Sequence, residues 1–372
     1  MQPVYVISHN IYSPLGNTTS ANFRQLQNGI SSVKHHAGGA LSNNDVYASL
    51  FLDEQKSSSF TFFEHLLLSS IEQAIASFPS VVADDRTLLI ISTTKGNIDF
   101  LESNKSSAPV TTQVGLNRSA QLIASHFGFK NDPLVVSNAC ISGLTALITA
   151  KRLINASAYD HVIVAGADRI SRFILSGFES FQALSPEICR PFDEERKGIN
   201  LGEAASTIIL SSDKRLSMGI VISGGSTTND ANHISGPSRT GEELSLSIQR
   251  TMRQAHLTPT DISYVSAHGT GTLYNDEMEA KAISLAGLQD TPINSLKGYF
   301  GHTLGAAGIL ESTVAIESML QNTLIPSLGY RRHGVSKPLN IIQEGTTTNI
   351  DHCLKTASGF GGCNASVIFS KQ

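Results

Sequence analysis

A thiol, two imidazoles and an ammonium group stand at places in this chain where they could act together: Cys140, His268, His302 and Lys297. Cys140 lies in Asn138-Ala139-Cys140-Ile141, after the short apolar run Leu134-Val135-Val136. Downstream, Leu144, Leu147, Ile148 and Leu153 recur near helical period with Ala146 and Ala150 between them. A strand therefore turns into a small-residue helix, with Cys140 at the helix N-terminus. The unpaired N–H groups and positive dipole end there favour a thiolate, but by only about 0.3 to 2 kcal/mol. One pKa unit is worth about 1.4 kcal/mol. The dipole alone cannot bring a thiol with a pKa near 8.5 far below neutrality, so a basic or cationic neighbour is required.

The second half of the chain supplies such neighbours. Ile262 to Ala267 reads as a strand ending at His268-Gly269-Thr270-Gly271-Thr272, a tight polar turn that delivers His268 to the strand's carboxyl end. That is where α/β proteins place ligands. The stretch from Asn294 to Gly308 again runs from a strand end into a helix, carrying Lys297 and His302 on the way. It is so rich in Gly and Ala that helix propensity alone disfavours it. Such a helix must be buried in close contact with another backbone.

The elements that would hold these residues alternate. Strand-like runs recur at Val4–Ser8, Thr87–Ser92, Leu134–Ser137, His161–Gly166 and Ser206–Ser211. A second series follows at Gly219–Ser223, Ile262–Ala267, a short strand at Ile293, and Ser366–Ser370. Alternation of strands with helix-length segments predicts a layered α/β architecture in two lobes of one plan. The polar break Ser212-Asp213-Lys214-Arg215 divides an N-terminal lobe, 1–213, bearing the cysteine, from a C-terminal lobe, 214–372, bearing the histidines. Ser103 to Thr112 reads as a loop, Lys56 to Ser59 as a helix lead-in, and Gly224-Gly225 as a turn. Asp276 and Glu279 have the spacing of a capping box.

Composition narrows the function classes. With 372 residues, 40% hydrophobic and 16% charged, the chain can bury a large core. Its net charge of −4, without a run of like charges, favours neither nucleic acid nor an anionic membrane as partner. No apolar stretch is long enough for a membrane span, and the start lacks a signal peptide's basic head, so a cytoplasmic protein is expected. Cys140, Cys189, Cys353 and Cys363 show no C-x-x-C spacing, which argues against a zinc site or a disulfide framework. Adjacent His35 and His36 diverge on either a helix or a strand, so no metal is expected there.

Taken in order, several pieces resemble the β-ketoacyl-[acyl-carrier-protein] synthases of the decarboxylating, chain-elongating group. They are Asn138-Ala139-Cys140-Ile141-Ser142-Gly143, Arg190-Pro191-Phe192-Asp193, Gly202-Glu203-Ala204-Ala205, His268-Gly269-Thr270-Gly271-Thr272 with Asn275-Asp276, Lys297 with Gly301-His302, and Gly359-Phe360-Gly361-Gly362. The resemblance implies the thiolase fold, in which duplicated lobes build five layers, α/β/α/β/α, as a dimer. It implies Cys140 as acyl acceptor, His268 and His302 as the pair acting on malonyl decarboxylation, and Lys297 as a charged organiser of that pair. Glu311 falls at an acidic supporting position, Thr270 and Thr272 along a pantetheine tunnel, and Phe360 at a gate. No cofactor is expected.

The implied partner is an acyl carrier protein with phosphopantetheine-linked acyl and malonyl groups. A homodimer, or a heterodimer with a related non-catalytic chain-length subunit, is the implied assembly. Ile199 and Ala204 stand where the family pattern has an aromatic residue and a glycine. The chain also lacks the basic cluster before Phe60 that family members use to dock the carrier, which leaves Arg196 and Lys197 as the candidate docking pair. His302 argues against an initiating synthase, which would carry asparagine there, and against a degradative thiolase.

Overall fold

A computed structural model describes residues 3–39, 41–52, 59–103, 113–231 and 236–372. The expected lead-in over Lys56 to Ser58 and the loop over Asn104 to Thr112 lie outside the described residues. The N-terminal half contributes strands β1 (Tyr5–Tyr12), β2 (Thr87–Ser92), β3 (Leu134–Val136), β4 (His161–Asp168) and β5 (Ala204–Ser211). The C-terminal half contributes β6 (Ile220–Asn229), β7 (Tyr264–Ser266), β8 (Pro292–Asn294), β9 (Asn340–Ile341), β10 (His352–Gly359) and β11 (Cys363–Lys371).

Among the described residues these form one eleven-stranded sheet in the order β9-β8-β7-β10-β11-β6-β1-β5-β4-β2-β3. The order contains the same unit twice. From β1 outward the pairings through β5, β4, β2 and β3 are antiparallel, antiparallel, parallel, parallel. From β6 outward through β11, β10, β7 and β8 they follow the same sequence. The two units join where β1 and β6 pair antiparallel, Tyr5 opposite Val221.

Alternation along each strand builds the layers. Val4 just before β1, Val6 within it, and Leu88 and Ile90 of β2 face a central core; Tyr5, Ile7, Leu89 and Ile91 face outward. Helices α1 (Phe62–Ile75) and α2 (Leu116–Phe127) cover the outer face of the first half. Helices α4 (Glu242–Ala255) and α5 (Leu273–Leu285) cover that of the second. Between the two halves lie α3 (Ser142–Asn155) and α6 (Ala307–Gln321), each touching strands of both. The result is the five-layered α/β/α/β/α body that the resemblance implied.

The two central helices cross where neither has a side chain. A Cβ on Gly143 would meet the Ile309 nitrogen at 2.7 Å, and one on Gly308 would meet the Leu144 nitrogen at 2.7 Å. This close approach is what the Gly- and Ala-rich segment required. The Gly224-Gly225 turn is not observed: both residues lie inside β6. A Cβ on Gly224 would stand 2.3 Å from the Thr251 carbonyl, so the missing side chains let helices pack on the sheet. Strand β10 escaped the sequence reading, because Lys355 and small polar residues break its apolar run.

Candidate active site

Cys140 follows β3 and precedes α3, whose N-cap is Ile141. The elbow is tight enough to hold Ala139 at φ 44°. Ser142 secures it by donating its hydroxyl to the Ala139 carbonyl at 2.6 Å while accepting the Asn138 N–H at 2.7 Å. Burial pushes the Cys140 thiol up to about 12, with Cys363 and Asp168 adding to it; Lys297 and the Phe360 N–H act the other way. The cationic neighbour expected from the sequence is therefore present, but burial outweighs it. The resting thiol is neutral.

His268 is delivered by the end of β7. The turn after it is held by two buried carboxylates: Glu279 accepts the N–H of His268 at 2.8 Å and of Gly269 at 2.7 Å. Asp276 accepts those of Thr270 at 2.9 Å and Phe192 at 2.7 Å. The Asp276–Glu279 capping box is thus overturned. Both side chains point back into the protein, and α5 has no side-chain bond at its cap, Thr272. His302 is positioned by the segment beside β5: its N–H donates to the Asn200 carbonyl at 2.7 Å, and its carbonyl accepts the Gly202 N–H at 3.0 Å.

The two imidazoles meet edge to face, with ring centroids 5.3 Å apart. Burial, then Lys297, His302 and Lys355 drive the His268 pKa well below its ordinary value. His302 is lowered by burial, Lys297 and Lys355. Both rings are neutral at physiological pH. Neither His302 ring nitrogen has a protein partner among the described residues, nor does His268 Nδ1. Beneath them Glu311 pairs with Lys297 and, at 2.8 Å, with Lys355. Burial pushes the Glu311 carboxyl up, but the two ammonium groups more than cancel this and leave it lowered.

A cavity of about 440 Å³ collects Cys140, His268, His302, Thr270, Thr272 and Phe360 on one wall system. Lys297 and Glu311 do not line it and sit behind the histidines. Phe360 is 42% exposed and packs against Phe178 and Phe181, at centroid distances of 5.8 and 5.3 Å. A buried thiol facing two neutral N–H donors can form a covalent acyl adduct and stabilise a developing enolate.

Residues 1–215 match the model for the N-terminal domain of β-ketoacyl synthases, and residues 219–331 that for the C-terminal domain. The chain belongs to the β-ketoacyl synthase family. A putative polyketide β-ketoacyl synthase 1 from Streptomyces cyaneus is 31% identical, over 67% of this chain and 63% of that protein. A putative mitochondrial 3-oxoacyl-[acyl-carrier-protein] synthase from Schizosaccharomyces pombe is 26% identical over 100% and 99%. Among solved structures, a ketosynthase in complex with its chain length factor from Xenorhabdus doucetiae superposes with TM-score 0.91 at 26% identity, covering 100% of this chain and 98% of that one.

Within this β-ketoacyl synthase frame some residues play parts the sequence reading missed. Asp168, at the end of β4, accepts bonds from Thr93 Oγ1 and the Gly305 N–H, both at 2.7 Å. It thereby ties the first half's strand ends to the turn after His302. Lys355 was missed with its strand; a lysine in an otherwise apolar and small-residue stretch was the available signal. Arg196, expected as half of a carrier-docking pair, is instead buried. Its guanidinium donates to the carbonyls of Asp193 at 3.0 Å, Gly334 and Leu273 at 3.3 Å. Lys197 stays exposed and pairs with Glu187 at 3.2 Å.

Proposed function

We propose that this chain is a 3-oxoacyl-[acyl-carrier-protein] synthase, an acyltransferase that extends fatty-acid, polyketide or polyene chains by two carbons through decarboxylative Claisen condensation. The observation that carries the reading is one cavity lined by Cys140 at a helix start and by two neutral imidazoles in edge-to-face contact. Cys140 attacks the acyl thioester carbonyl; the C–S bond to the carrier breaks, and the thiol proton ends on the departing carrier sulfur. The N–H groups of Cys140 and Phe360 suit the transient oxyanion. Malonyl thioester then loses CO2. Its enolate oxygen forms where His268 and His302 each offer an N–H, the donors that count because they meet charge only as it develops. The carbanion attacks the Cys140 thioester, forming the new C–C bond and breaking the C–S bond to Cys140; the departing thiolate takes a proton from solvent to restore the resting thiol.

Lys297 and Glu311 organise the histidines from behind, Thr270 and Thr272 flank the pantetheine arm, and Phe360 closes the acyl side. We divide the chain at 213/214 into a lobe bearing Cys140 and a lobe bearing the histidines; the pairing pattern that begins again at β6 supports that division. The partner is an acyl carrier protein, and the work is cytoplasmic, where a reducing environment keeps thiols such as Cys140 free. The edge strand β3, with Leu134 41% exposed, is an open template for pairing with a second subunit. That subunit is a copy of this chain or a related ketosynthase-like partner. Mass spectrometry after exposure to an acyl carrier should find one acyl group on Cys140 and none in Cys140→Ala. An adduct persisting in that variant would sink the assignment.

A further inference from the structure

Lys355 is fully buried in the middle of β10. Its Nζ donates to the carbonyls of Ser266 and Ala267, both at 3.0 Å, the two residues just before His268. The same ammonium lies 2.8 Å from Glu311 Oε2, while the other Glu311 oxygen takes Lys297, five residues before His302. A continuous buried bridge thus runs from the His268 strand end through Lys355, Glu311 and Lys297 to the His302 turn. The next residue, Thr356, donates to Glu279 at 2.7 Å, the carboxylate that holds the His268 and Gly269 N–H groups. Adjacent residues of one strand therefore grip the His268 turn from two sides.

We propose that Lys355 is a positioning residue for decarboxylation, fixing through Glu311 the mutual placement of the His268 and His302 rings. This rests on the reading of those histidines as the decarboxylating pair. Two donors converging on one oxygen demand a set separation, and small misplacements are costly in rate. The charged and titratable groups facing Lys355 are Glu311, Lys297, Glu279 and the two imidazoles. Its cation balances carboxylates that would otherwise be buried with one partner fewer.

The test uses Lys355→Met, which keeps length and volume but removes the charge and the donors. Three quantities are followed in the full-length protein: CO2 release from malonyl carrier, acylation of Cys140 by mass, and thermal midpoint. The expected result is a kcat for CO2 release lowered by up to about 100-fold. KM for malonyl carrier and the rate and stoichiometry of Cys140 acylation should stay at wild-type values. Combined with Glu311→Gln, the loss should be less than the product of the single losses, because the pair acts as a unit. If Lys355→Met folds poorly, Lys355→Gln, which retains donors for the carbonyls, gives the same readouts. CO2 release within about two-fold of wild type would overturn the proposal. So would a parallel loss of acylation, decarboxylation and thermal midpoint, which marks plain packing. His302→Ala serves as the reference: wild-type CO2 release there would bring down the histidine assignment itself, and the role of Lys355 with it.

Discussion

The strand end carrying Cys140 and the strand end carrying Lys297 and His302 occupy equivalent places, β3 and β8, in the two halves of the sheet. Each leads into one of the crossed central helices, α3 and α6. Their surroundings differ sharply. The first is an abrupt elbow at the sheet edge, with Ser137 and Asn138 exposed and no charged side chain within it. The second is longer, with a short helix and a 3-10 turn, Lys297–Phe300 and Leu304–Ala306, before α6, and is buried throughout. It is backed by Lys297, Glu311 and Lys355. Two similar frames thus carry different contents: a lightly supported thiol in one, and imidazoles backed by a buried network of charges in the other.

The strongest way to break this division is His302→Ala. Losing one preorganised donor should lower condensation by roughly 100- to 1000-fold, while Cys140 still takes up its acyl group. CO2 release and acyl-enzyme mass, measured separately, check this; equal loss of both would mean that the halves do not work independently. The helix crossing comes next. Gly143→Ala and Gly308→Ala each force a Cβ to within 2.7 Å of the opposite backbone, and each should cost about 1 to 3 kcal/mol. Denaturant unfolding of both variants tests whether the crossing is symmetric, and a large inequality would show one helix yielding more easily.

Acid sharpens the contrast with a smaller effect. The His268 and His302 rings have folded pKa values far below their unfolded ones. Between those values the unfolded chain binds more protons, so stability falls as pH drops below about 6.5. Asp276, raised to about 6 by burial, has the opposite sign: it is protonated in the folded state first and recovers stability as pH falls through that value. Comparison with His302→Asn isolates one imidazole. Its unfolding free energy should fall less steeply between pH 6.5 and 5, by up to about 1.4 kcal/mol per pH unit, whereas Cys140→Ala should keep the wild-type slope. The smallest effect is expected at Phe360, which belongs to the second half but packs against Phe178 and Phe181 of the first. Phe360→Ala should blur acyl-length discrimination by less than about ten-fold, or 1.4 kcal/mol, leaving the preferred substrate little changed. Product profiles over a series of acyl carriers would reveal this, and unchanged selectivity would remove Phe360 from the gate.

Much of the molecule was legible in its sequence because local patterns were consistent with the fold. The strands β2, β3, β4 and β5 are apolar runs, and the Gly- and Ala-rich helix announced a backbone contact that the Gly143–Gly308 crossing provides. Residue types and their order also singled out Cys140, His268 and His302, and the fold lines one cavity with all three. What tertiary structure alone decided is the state of these groups and the identity of their supports. The neutrality of both imidazoles and the upward shift of the thiol arise from burial, which depends on what the rest of the chain packs around them. Strand β10 broke the apolar pattern because Lys355 is buried only by virtue of Glu311 and two carbonyls distant in sequence. Asp276, Glu279 and Arg196 misled for the same reason: spacing along the chain describes neighbours on one element, while their hydrogen bonds reach backbone groups on others.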